Sequence, residues 1–206
     1  MNAKIVPPKI GHGKGIEINN SMFLDNSIPL SLHKGQNLPH WNQIGKLQFV
    51  TFRLADSLPS SKLEYLKELK HNITNRNFII KIDDPDLFNS KIDFWLRQGI
   101  GSCILKFEKV QSLVNESINF YDGKRYDLYD YVIMPNHVHM LILPYDNLQS
   151  VISDLLRFTT KKINRLLNTK GKIWQSECFD RIVRSIDDFN RIVEYIIHNP
   201  ANFPGI

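Results

Sequence analysis

Two strand-like runs, 126–134 and 137–143, are separated by Pro135 and Asn136 alone. So short a link implies an antiparallel hairpin, because a parallel pair needs a crossover of a dozen residues or more. Tyr131-Val132-Ile133-Met134 and Met140-Leu141-Ile142-Leu143 are mainly long apolar residues, which places this hairpin centrally in a sheet. Side chains alternate along a strand, so His137 and His139 project from one face while Val138 takes the other. Two imidazoles in a buried strand cost desolvation unless something binds them. They are either half of a metal site or a satisfied polar patch.

The remaining pattern supplies the partners of that hairpin. Residues 46–54 are rich in β-formers and read as a first strand. Ser60 or Ser61 caps a helix striped by Leu63, Leu66, Leu69 and Ile73. Asp84-Pro85-Asp86 and Gly99-Ile100-Gly101 bound a short extra helix, and a further helix over about 107–120 precedes the turn Asp122-Gly123. A helix follows over 148–167, then a strand near 179–184. A last helix starts at Ser185 or Asp187 and ends before Pro200. This order predicts an α+β fold, a ferredoxin-like (split βαβ) layout with helices packed on a central antiparallel sheet. Residues 1–45, broken by Pro7, Pro8, Pro29 and Pro39, read as a loosely structured N-terminal extension. One domain is then expected over 46–206, with a helical insertion near 76–102. Gly11-His12-Gly13-Lys14-Gly15 lacks phosphate-loop spacing and reads as part of a flexible arm.

Lys and Arg outnumber Asp and Glu by 26 to 21, a modest excess that favours a polyanionic partner. On the 148–167 helix, Ile152, Leu155, Leu156, Ile163, Leu166 and Leu167 gather on one side. Arg157, Lys161 and Arg165 follow one another at four-residue steps roughly opposite, with Lys162 beside them. Such a row is either a solvated face or a track for a phosphate backbone. Cys103 and Cys178 fit no Cys-x-x-Cys pattern and read as buried thiols. No apolar run approaches a membrane span and the first residues lack a signal-peptide block, so a cytoplasmic protein is expected.

Tyr195 and Asn199 stand four residues apart on the last helix and share a face. If that helix docks beside the histidine strand, both side chains aim at the same point; taken alone, Tyr195 reads as a core aromatic. Val132-Ile133-Met134-Pro135-Asn136-His137-Val138-His139, followed by Trp174-Gln175, Phe179-Asp180-Arg181, Arg184 and Tyr195-Ile196-x-x-Asn199-Pro200, resembles the single-tyrosine HUH transposases, in particular the REP-associated tyrosine transposases. The similarity reaches back to 49–59, Phe-Val-Thr-Phe-Arg-Leu-Ala-Asp-Ser-Leu-Pro.

The resemblance implies that Tyr195 is a nucleophile and that His137, His139 and Asn199 ligate a divalent metal ion. An open site of this kind suits Mg²⁺ or Mn²⁺, the nitrogen ligands favouring Mn²⁺. It further implies a monomer or homodimer acting on single-stranded DNA with hairpins, through a 5′-phosphotyrosine link. Arg157, Lys161, Lys162, Arg165, Arg181 and Arg184 would then contact the backbone, and Trp174 would stack on a base. Two other classes stand beside this one. An inactive or domesticated relative would only bind hairpin DNA or RNA. An unrelated metal-dependent hydrolase would need further ligands, and Leu141 occupies the position of the Asp in a His-x-His-x-Asp pattern.

Overall fold

The computed structural model describes residues 4–14, 17–34, 39–65 and 92–202. The strands are β1 (Lys9–His12), β2 (Ser31–Lys34), β3 (Pro39–Asn42), β4 (Gln48–Arg53), β5 (Tyr126–Ile133), β6 (His137–Pro144) and β7 (Phe179–Ile182). The principal helices are α1 (Glu108–Tyr121), α2 (Leu148–Leu167) and α3 (Ile186–His198). Residues 60–65 and 92–96 are also helical. The rest of the stripe from Leu66 to Ile73, and the expected insertion up to residue 91, lie outside the described residues.

The main sheet has the order β1-β5-β6-β4-β7, and every neighbouring pair is antiparallel. Counted from β4, its four principal strands stand in the order 4-1-3-2. With α1 leading into β5 and α2 into β7, this is the α+β ferredoxin-like layout. β2 and β3 form a separate hairpin.

Within the segment expected to be loosely structured, β1 adds a strand to the free edge of β5, from Lys9 opposite Ile133 to His12 opposite Asp130. Glycine is what allows this approach. A Cβ on Gly11 would enter the ring of Tyr131, and one on Gly13 would collide with the Leu128 carbonyl. The glycine-rich stretch is thus in part an edge strand rather than a flexible arm.

The sheet divides two cores. Val138, Met140 and Ile142 of β6 face α1 and α2 together with Val50, Phe52, Val114, Ile118, Leu155 and Ile163. Leu141 packs on the other face with Phe49, Val132, Phe23 and the α3 residues Ile192 and Ile196. Each of these fully buried aliphatics contributes about 1.5–3 kcal/mol relative to exposure. A bulge between Leu128 and Asp130 shifts the register of β5 and sends Tyr129 to the α3 side, edge-on to Phe189 at 5.6 Å. The pleat therefore puts α1 and α2 behind the sheet and leaves the histidine face to α3.

Local chemistry fixes the helix ends. Asn147 opens α2 by accepting from the backbone N–H groups of Gln149 (3.0 Å) and Ser150 (3.3 Å), and Asn168 closes it at φ 53°. Ser185 opens α3 by accepting from Asp188 N–H at 3.2 Å. Leu166, expected in the apolar stripe of α2, is 41% exposed. Cys103 and Cys178 are buried free thiols. Among the described residues no helix is long and apolar enough to cross a membrane.

Candidate active site

Strand pairing assembles the site. β4 and β6 set Thr51 opposite His139 and Arg53 opposite His137, and residues directly opposite share a face. Both imidazoles are enclosed, at 1% and 0% exposure, with centroids 4.7 Å apart. The His139 ring stacks on Phe49 at 5.4 Å and 15°. Phe49 also meets the Tyr195 ring edge-on at 5.9 Å, so one aromatic side chain supports both groups.

The hydrogen bonds decide which ring nitrogen of His137 is free. Asn136 spends its Nδ2 hydrogens on the carbonyls of Leu96 (3.0 Å) and Ile100 (3.3 Å), which leaves Oδ1 to accept from His137 Nδ1 at 2.7 Å. The lone pair of His137 therefore resides on Nε2. His139 Nδ1 contacts Thr51 Oγ1 at 2.7 Å. Nδ1 held and Nε2 presented is the arrangement of a metal-ligating histidine. Burial, then the charge of Arg97, lowers the His137 pKa to about 3. Burial, His137 and Arg97 hold His139 well below its usual value. Both rings are thus neutral at neutral pH, as metal ligation requires.

α3 brings Tyr195 to this pair. Its hydroxyl donates to Asp93 Oδ2 at 2.6 Å and lies 3.2 Å from His139 Nε2. The phenol has one proton, and the shorter contact assigns it to Asp93. The contact with His139 is then a hydrogen bond only if Nε2 is the donor, so Nε2 serves either the phenol or a metal ion, not both. Asp93 is followed one helical turn later by Arg97, whose guanidinium carbon sits 5.7 Å from the centre of the Tyr195 ring. Burial raises Asp93 to about 6 against the lowering pull of Tyr195 and Arg97. Burial, and then Asp93, push the Tyr195 phenol far above its ordinary value.

Asn199 ends α3 one turn beyond Tyr195, 1% exposed, and among the described residues neither its Oδ1 nor its Nδ2 has a hydrogen-bond partner. An orphaned buried amide is what a missing ligand would leave. Among the described residues no three His, Cys, Asp or Glu side chains gather as a metal site. An ion here would rest on two imidazoles, the Asn199 oxygen, and oxygens from solvent or substrate. Such a donor set fits an open Mg²⁺ or Mn²⁺ site.

The residues expected to contact nucleic acid divide. Arg157, Lys161, Lys162 and Arg165 are on α2, behind the sheet from the histidines. Arg157 and Lys161 line a groove with Gln175 and Ser176, and Arg184 is exposed ahead of α3. Two expectations are corrected. Trp174 is 3% exposed, edge-on to Phe52 at 5.1 Å and donating from Nε1 to Thr159 at 2.8 Å, so its ring belongs to the core and is not open to a base. Arg181 makes two bonds to Asp188, at 2.7 and 3.0 Å, which engage its fork internally.

Sequence reasoning missed Thr51, Arg53, Asp93 and Arg97. The first two were legible in principle, since period two from Phe49 places them on one face of β4. Asp93 and Arg97 come from a segment distant in sequence with no local signal.

No protein-family model matches the chain, and no curated protein matches it. Among solved structures, it is similar to a REP-associated tyrosine transposase bound to a REP hairpin. The TM-score is 0.47 and the identity 18%, over 81% of this chain and 73% of the other. A likeness that slight decides nothing about the chemistry here.

Proposed function

We propose that this protein breaks and rejoins single-stranded DNA, with Tyr195 as nucleophile and a divalent ion, Mg²⁺ or Mn²⁺, held by His137, His139 and Asn199. The observation that carries the reading is the Tyr195 hydroxyl 3.2 Å from His139 Nε2, on the sheet face where the two neutral imidazoles stand. The motif resemblance from His137 to Asn199 supports it.

When bound, the ion offsets the anionic oxygens of a phosphodiester that otherwise repel a nucleophile. The chain's own groups do the rest. Asp93, already the acceptor of the phenol hydrogen, is the nearest group to take that proton. As the Tyr195 oxygen bonds to phosphorus, the bond from phosphorus to the 3′ oxygen breaks, and that oxygen leaves with the electron pair and takes a proton from solvent to become a 3′-hydroxyl. The 5′ phosphate stays on the tyrosine, which conserves the bond for attack by another 3′-hydroxyl. Phe49 packs against the rings of both His139 and Tyr195 and fixes their mutual placement. Hairpin-bearing DNA is the proposed substrate, and the cations of α2 offer a contact for it behind the sheet.

A 3′-labelled hairpin oligonucleotide incubated with protein and Mn²⁺ tests this. A covalent adduct is expected, absent in EDTA and absent with Tyr195→Phe. An undiminished adduct with Tyr195→Phe rejects the assignment, and equal hairpin binding in EDTA with no adduct at all indicates a binding protein instead.

A further inference from the structure

Among the described residues, Arg53 is a cation without a counterion. It stands on β4 opposite His137, on the face that carries the imidazoles, and is only partly exposed. Within that same set its guanidinium makes one hydrogen bond, to Ser57 Oγ at 3.2 Å, and no ion pair. Ser57 is itself fully buried and donates to the Leu54 carbonyl, so it offers a lone pair and no charge. Burial draws the Arg53 pKa down to about 10, which leaves it protonated at neutral pH. A guanidinium has five N–H donors in a rigid fork matched to phosphate oxygens, and holding one half-enclosed without an anion is costly.

A second arginine reaches the same site from the helical segment at 92–96. Arg97 lies beside the Tyr195 ring, and its Nε is buried with no partner among the described residues. Its backbone N–H donates to the Asp93 carbonyl at 2.9 Å, one turn from the carboxylate that accepts from the Tyr195 hydroxyl. Two incompletely satisfied guanidinium groups thus stand at this site, one opposite His137 and one beside the Tyr195 ring.

We propose that Arg53 and Arg97 form a phosphate-binding clamp over the histidine pair, Arg53 on the His137 side and Arg97 on the Tyr195 side. The inference rests on the strand-transfer reading only in taking the anion to be the scissile phosphodiester; the clamp itself is a site for a phosphate group. Arg53 is then a positioning residue that holds the phosphorus where the Tyr195 oxygen reaches it.

Inorganic phosphate is the probe. Full-length protein labelled with ¹⁵N-arginine in EDTA is titrated with phosphate, against chloride at matched ionic strength, while the Nε–Hε resonances are followed. Arg53→Lys and Arg97→Lys each remove one resonance and so assign it. Both signals are expected to shift saturably with phosphate and not with chloride. Arg53→Gln is expected to bind phosphate about tenfold or more weakly and to slow adduct formation in parallel, with Arg53→Lys recovering part of both. The clamp is overturned if neither resonance answers to phosphate, or if Arg53→Gln binds phosphate and forms adduct as the unaltered protein does. Phosphate shifts with no adduct on any hairpin would keep the clamp and remove strand transfer. An adduct that forms while neither resonance answers to phosphate would do the reverse.

Discussion

Replacing Asp93 by Asn keeps an acceptor for the Tyr195 hydroxyl and removes a buried charge. The carboxyl is raised from 3.8 to about 6 chiefly by burial, so the folded state prefers its protonated form. Its stabilising contribution is complete below about pH 3.8 and is lost as pH rises through about 6. At about 1.4 kcal/mol per pH unit the loss reaches a ceiling of about 3 kcal/mol above pH 6. The side chain is 18% exposed, and solvent screening reduces the figure. An amide at this position does not titrate, so in EDTA the Asp93→Asn protein matches the unaltered one near pH 4 and becomes the more stable through pH 4 to 6. The gap then levels, corresponding to as much as roughly 10 °C in Tm. Paired thermal unfolding curves by circular dichroism across this range measure it. A gap independent of pH, or one that favours the unaltered protein as pH rises, would refute the assignment of a strained carboxylate at the phenol. The same substitution is expected to slow adduct formation, since the amide does not accept the proton.

Asn136→Ala removes the acceptor that orients His137 and the two donors that tie the 92–100 segment to the hairpin. It should cost roughly 1–3 kcal/mol in denaturant unfolding and weaken Mn²⁺ binding, followed by calorimetry, by about 10- to 100-fold. Arg181→Ala should lower stability by about 3 kcal/mol, because it leaves the carboxylate of Asp188 enclosed without its fork. Burial raises the Asp188 pKa, but Arg181 and the Arg184 N–H outweigh it and hold it low. The stability from this pair is therefore present at neutral pH and is lost as pH falls through the depressed value, so acid unfolding of the unaltered protein and of Arg181→Ala should converge.

Much of the frame was readable because local rules and global fold agree. A link of three residues between β5 and β6 admitted one pairing, alternation placed His137 and His139 together, and Ser185 marked the start of α3. The sequence also put Tyr195 and Asn199 on one helical face. The docking of Tyr195 against the histidine strand follows from which side of the sheet α3 covers, and that depends on non-local packing of Ile192 and Ile196 against Leu141 and Val132. Trp174 misled because aromatic and basic residues near one another suit both a core and a nucleic-acid surface. Burial distinguishes the two, and burial is not written in a segment that lacks periodicity. β1 was missed because its glycines, which signal turns and loops in isolation, here permit contact with Tyr131 and Leu128. Asp93 belongs to a stretch whose place beside α3 is set by contacts 102 residues apart in sequence.

A crystal of the protein grown with Mn²⁺, measured for anomalous scattering at the manganese edge, addresses the shared site most directly. The expected result is a peak bonded to Nε2 of both His137 and His139, with the Asn199 amide oxygen as the third protein ligand and the Tyr195 hydroxyl adjacent. Manganese bound elsewhere, or a histidine pair that stays empty while Asn199 turns to another partner, would contradict it.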